Sequence, residues 1–183
     1  MKGDKPRLVR PERARGKLQE LQIETRMVTN REEQEAWGTM SPQDRTEETE
    51  KRILEINRRN KTLRVGKSKI PGLREGKAWG VMATRDVTNN GAIIATYGGE
   101  KLTKEVWENR YPADDADYVF HTDVDTYIDA ADPRKSTIAR WLNHGRGEAE
   151  NVEAVYIQGT SSRVVAFKAK RNIKKGTSSS LKQ

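Results

Sequence analysis

The sequence predicts a mixed α/β protein, rich in short strands and small sheets, with an N-terminal helical extension. Two observations lead there. From Leu63 onward, apolar residues come in short runs divided by turn residues, whereas the earlier part carries helix-capping chemistry and helical spacing. The chain is also polar, with 33% hydrophobic and 34% charged residues. A core along the whole length is not expected from such a composition. Residues 1–62 are therefore read as a basic, partly helical or disordered extension, 63–176 as the folded domain, and 177–183 as a disordered tail.

Within the extension, Gly16 to Trp37 has the composition of a polar helix with an irregular apolar face. A stronger helix starts after Ser41, a good N-cap, with Pro42 in the first helical position. Asp44, Glu47 and Glu48 favour the positive end of its dipole. Ile53, Leu54 and Ile56 give it a partly apolar face, and it is expected to end near Asn60. Candidate strands follow at 63–65, 81–84, 93–97, 118–121, 127–129, 152–157 and 164–169. Asn89-Asn90-Gly91 suits a turn with positive φ. Thr103 is placed to cap a short helix carrying Val106 and Trp107, and Ser136 another carrying Ile138, Ala139, Trp141 and Leu142. The closing Thr177-Ser178-Ser179-Ser180 is low in complexity.

Charge and residue usage narrow the chemistry. There is no cysteine, which excludes disulfides, thiolate zinc clusters and a cysteine nucleophile. Two isolated histidines are too few for a typical zinc site. No apolar run is long enough to cross a bilayer, and the N-terminus lacks the apolar segment of a secretory signal. A soluble intracellular protein is expected, with no membrane partner. The net charge is +8, which favours acidic partners. Basic residues from Lys2 to Lys17 form an arm suited to nucleic acid or nucleosomes. Asp114 to Asp132 form an acidic middle that would attract a basic peptide.

The glycine turn at Lys77-Ala78-Trp79-Gly80 lets bare backbone approach a ligand. It is not a phosphate loop, since no Gly-Lys-Ser/Thr closes it. It is not a dinucleotide fingerprint either, since no long helix follows. Asp123, Asp125 and Asp129 alternate but lack the third oxygen ligand and glycine of a calcium loop, so they read as strand-edge and turn carboxylates. No metal site is expected. His121 reads as an edge or surface residue, and Asn143-His144 alone reads as a turn.

Taken in order, the segments resemble the SET domain, a lysine methyltransferase module. Ala78-Trp79-Gly80-Val81-Met82-Ala83 resembles its Gly-x-Gly turn and strand, with Ala78 in the place of the first glycine. Residues 93–100, Ile-Ile-Ala-Thr-Tyr-Gly-Gly-Glu, resemble its strand ending in Tyr-x-Gly-Glu. Tyr127-Ile128-Asp129-Ala130 and Ala139-Arg140-Trp141-Leu142-Asn143-His144 resemble two further motifs, the second with Gly145 where serine is usual. The resemblance covers about residues 66–176. It implies methyl transfer from S-adenosylmethionine to a lysine of a basic protein such as a histone, and a nuclear location. It places Lys77, Ala78, Trp79, Gly80, Asn143 and His144 at the cofactor and Tyr97 along the lysine channel. It also implies Gly-Glu-Glu-Leu-x-x-Asp-Tyr from Gly176, threaded beside the Asn-His segment; residues 177–183 contain no tyrosine. An inactive SET-like interaction module and a basic nucleic-acid adaptor are the alternatives. With no cysteine-rich flank, the extension is expected to take over part of the stabilising or substrate-binding role.

Overall fold

The computed structural model describes residues 7–9, 39–68, 79–88, 91–113, 116–123, 125–145, 150–158 and 163–182. The predicted helix over 16–37 lies outside them. Helix α1 (Pro42–Arg59) starts as its sequence dictates, with the Asp44 amide donating to Ser41 Oγ at 3.1 Å. Ile53 and Ile56 turn to the core, and the amide of Asn60 closes the last turn on the Ile56 carbonyl.

Strand β2 (Leu63–Lys67) pairs antiparallel with β3 (Trp79–Ala83), burying Leu63, Val65 and Val81. β2 lies at the end of the strand order, and α1 covers its edge. Asn57 does this from the helix: its amide donates to the Val65 carbonyl at 2.9 Å and its Oδ1 accepts from the Val65 amide at 2.7 Å. Strand β4 (Ile93–Thr96) packs on β10 (Arg163–Ala169), which pairs in turn with β9 (Val152–Gln158). Gly91 before β4 adopts φ of +89°, as the turn reading expects.

A second, three-stranded sheet is formed by β5 (Glu100–Thr103), β7 (Thr126–Asp129) and β6 (Val119–Asp123). Helix α2 (Lys104–Arg110) follows β5, capped by Thr103, whose Oγ1 accepts from the Val106 amide at 3.4 Å. Trp107 stacks on Tyr127, ring centroids 4.6 Å apart. His121 is exposed on β6, while Asp129 is 1% exposed rather than a turn or edge carboxylate. Arg110 Nη1 bridges Asp129 (2.5 Å) and Glu100 (2.6 Å), and Lys135 binds the other Glu100 oxygen at 2.5 Å. Two carboxylates can be buried here because two cations meet them.

Three sequence expectations are corrected. Ser136 does not cap the turn at Ile138–Trp141; Thr137 precedes it, and Ser136 Oγ donates to the Pro133 carbonyl of the 3-10 turn before. Arg7–Val9 forms strand β1, parallel to β9, where the expected state was helical or disordered. Finally, Ser178–Lys182 is strand β11 rather than a disordered tail. It pairs with β3, with Val152 of β9, and in parallel with β8 (Asn143–Gly145). Partners on both sides supply the backbone bonds that its serine-rich side chains could not announce. β11 thereby joins the β2–β3 pair to the β9–β10–β4 ribbon around a core that includes Phe167, Val152, Trp141 and Ile173.

Candidate functional site

Trp79 and Gly80 open β3. Lys77 and Ala78 lie outside the described residues. Asn143 opens β8 after a 3-10 turn anchored by buried Ile138, Ala139 and Trp141. Its amide donates to the Trp79 carbonyl at 3.3 Å and to Ser68 Oγ at 3.4 Å. A Cβ on Gly80 would stand 2.6 Å from that same amide nitrogen, so glycine is what lets Asn143 approach. The backbone of His144 pairs in register with Leu181 of β11.

Tyr97 follows β4 and is 5% exposed. Its hydroxyl donates to the Tyr118 carbonyl at 2.8 Å, and its ring packs on Phe120, centroids 4.6 Å apart. Burial pushes the Tyr97 hydroxyl well above the ordinary tyrosine range, so it stays protonated at neutral pH. Arg140 lies over the Tyr118 ring at 4.0 Å, while its Nε donates to the Ala130 carbonyl at 2.7 Å. Stacking and hydrogen bonding together fix that guanidinium.

Several of these residues share one cleft of about 700 Å³, though Gly80 is not among those that line it. Trp79, Tyr97 and Asn143 line it, with Tyr118, Phe120, Trp141 and Phe167 supplying apolar wall. Lys67 enters too, its Nζ 5.1 Å from the Trp79 ring centroid. Helix α1 adds another part of the wall, through Arg45, Thr46, Thr49 and Glu50. The role expected of the extension could not be tied to these helix residues from the sequence, because their contribution depends on where α1 docks. Arg140 lies within the motif that ends in Asn143-His144, but neither its role nor that of Asn151 was assigned from the sequence. Asn151 donates from Nδ2 to the Ser178 carbonyl at 2.8 Å, holding β11 in place. Tyr156 lies outside this cleft, its hydroxyl bonded to the His121 carbonyl at 2.5 Å.

Among the described residues there is no cluster of three or more metal-ligating side chains, and no helix is long and apolar enough to cross a membrane. The cleft can enclose a small molecule and present a neutral tyrosine to it.

Comparison with known proteins gives the geometry a context. Residues 78–178 match the SET domain. No curated protein matches the sequence. The fold is similar to ctPRC2 in an autoinhibited conformation bound to S-adenosylmethionine, with TM-score 0.55 and 20% identity over 68% of this chain and 15% of that one. It is also similar to a humanized, inhibitor-bound mutant of the Chaetomium thermophilum Polycomb Repressive Complex 2, with TM-score 0.56 and 18% identity over 75% of this chain and 18% of that one. The chain thus spans less than a fifth of these solved chains, and at such identities the likeness concerns the fold.

Proposed function

Since the chain belongs to the SET-domain family, we propose that it is an S-adenosylmethionine-dependent protein lysine methyltransferase acting on a basic protein such as a histone. The observation that carries this reading is the convergence of Trp79, Tyr97 and Asn143, from three separate segments, on one cleft. The residues present fit the cofactor. The cleft volume lies in the usual range for small-molecule sites, and Gly80 leaves space that a Cβ would take from Asn143. Main-chain groups of Lys77, Ala78, Trp79 and Gly80 would hold its methionine end, and Asn143 and His144 would contact its amino group and adenine.

When bound, the cofactor supplies a sulfonium-borne methyl group, open to in-line attack by an amine. The chain's own task is alignment and exclusion of water. Phe120, Trp141 and Phe167 provide dry walls. A free lysine amine has a pKa of roughly 10.4 and must shed a proton before it attacks. Tyr97 does not take that proton, because burial keeps its own hydroxyl protonated. Its oxygen gives one hydrogen bond to the Tyr118 carbonyl and retains lone pairs that can accept from the amine. Tyr97 is thus an orienting group rather than a base. The charged lining is mixed, with Glu50 and Asp117 beside Arg45, Lys67 and Arg140. Nucleosome or nucleic-acid contact through the basic arm, and a nuclear location, belong to the same proposal.

One observation favours a second reading, a SET-like interaction module without turnover. Counted from Gly176, the tyrosine of Gly-Glu-Glu-Leu-x-x-Asp-Tyr falls on Gln183. Calorimetric titration with S-adenosylmethionine, beside radiolabelled methyl transfer to core histones, separates the two. Binding with transfer is the expected result. Binding alone supports the second reading, and a folded protein that binds no cofactor overturns both.

A further inference from the structure

We propose that the corner where α1 ends and β2 begins docks the phosphate backbone of a nucleic acid. Three segments meet there. Thr84 Oγ1 donates to the Lys61 carbonyl at 2.6 Å, and Arg85 Nη2 donates to Thr62 Oγ1 at 3.0 Å. The Gly176 amide donates to the Ala83 carbonyl at 2.8 Å, which brings Lys175 to the same corner. Arg58, Lys61, Arg64, Arg85 and Lys175 are all exposed. Arg64 faces away from the core, between buried Leu63 and Val65.

The last two turns of α1 and the described residues of the other segments at this corner carry two carboxylates, and both are already engaged. Glu55 is held by Arg52 at 2.7 Å and Arg59 at 2.9 Å. Asp86 accepts from Lys174 Nζ at 2.9 Å and from the Lys175 amide at 2.8 Å. Each sits below its ordinary pKa, Glu55 chiefly through the Arg52 hydrogen bond and Asp86 chiefly through the Lys175 amide. Among the described residues, no carboxylate pairs with the side chains of Arg58, Lys61, Arg64, Arg85 or Lys175. Offsetting a helix dipole would account for Arg58, in the last turn of α1, but not for the other four.

Phosphate is favoured over an acidic protein because protein interfaces are anchored by buried apolar side chains. The exposed large hydrophobics among the described residues are Leu54 and Val106, and only Leu54 shares a segment with this corner. Exposed arginine forks suit rows of phosphate oxygens.

The test is fluorescence anisotropy of the full chain with labelled duplex DNA across a salt series. It compares a corner triple variant, Arg58→Ala, Arg64→Ala, Arg85→Ala, with a control of equal charge loss, Lys104→Ala, Arg163→Ala, Lys168→Ala. The corner variant is expected to bind about tenfold more weakly at moderate salt and to flatten the salt slope by about three units; the control is expected to change little. Circular dichroism melts verify that both variants are folded. Equal losses in the two variants, no loss in the corner variant, or no binding by the parent would each overturn the proposal. So would displacement of the DNA by a polyglutamate peptide at matched charge, which would assign the corner to an acidic protein.

Discussion

Gly80 and Asn143 work as one unit, because the approach of the amide depends on the missing Cβ. Gly80→Ala is expected to weaken S-adenosylmethionine binding by about tenfold to a hundredfold, the worth of one or two displaced polar contacts, measured by calorimetry. Tyrosine ionisation gives a second prediction. Burial raises the Tyr97 hydroxyl well above its usual value; burial and the Asp129 carboxylate do the same to Tyr111, whose hydroxyl lies 2.9 Å from Asp129. The unfolded chain releases these protons near pH 10 while the folded chain keeps them. Their contribution is therefore fully present below about pH 10 and lost as pH rises beyond it. In urea unfolding between pH 9 and pH 11, the Tyr97→Phe, Tyr111→Phe variant should lose less stability than the parent over that interval. Tyr97 and Asn143 were legible because each lies in a recognisable motif. Arg140 lies in such a motif too, but its role and that of Asn151 were not legible, since the partners that define them, Tyr118 and Ser178, are 22 and 27 positions away in the sequence.

At the scale of elements, α1 behaves as a piece of the domain. It lays Ile53 and Ile56 on the core, lines the cleft with Arg45 and Thr49, and satisfies both backbone groups of Val65 through Asn57. Asn57→Ala would leave that amide and carbonyl without their partner. A loss of about 2 kcal/mol is expected in equilibrium unfolding. The start of α1 was readable from Ser41 and Pro42, and the core strands from their apolar runs. Strands β8 and β11 were not readable. Asn143-His144-Gly145 and Ser178-Ser179-Ser180 have little intrinsic β preference, and their conformation comes from neighbouring strands. The 3-10 turn at Ile138–Trp141 was displaced by one residue because Ser136 spends its hydroxyl on the preceding turn.

For the whole molecule, β11 is the junction: its backbone meets β3, β8 and β9, so the two halves of the larger sheet are held through five residues. Deleting residues 177–183 is expected to abolish cofactor binding and lower the melting temperature by more than about 8 °C, the shift of a loss exceeding 2 kcal/mol in a domain of this size. Differential scanning calorimetry checks the second outcome and titration the first. The pairing of Asn57 with Val65 also reaches beyond a single molecule. β2 ends the strand order, and a bare edge strand is a template on which another chain can add. By occupying the hydrogen-bonding groups at the middle of that edge, one asparagine on a helix keeps copies of this protein from zipping together strand to strand.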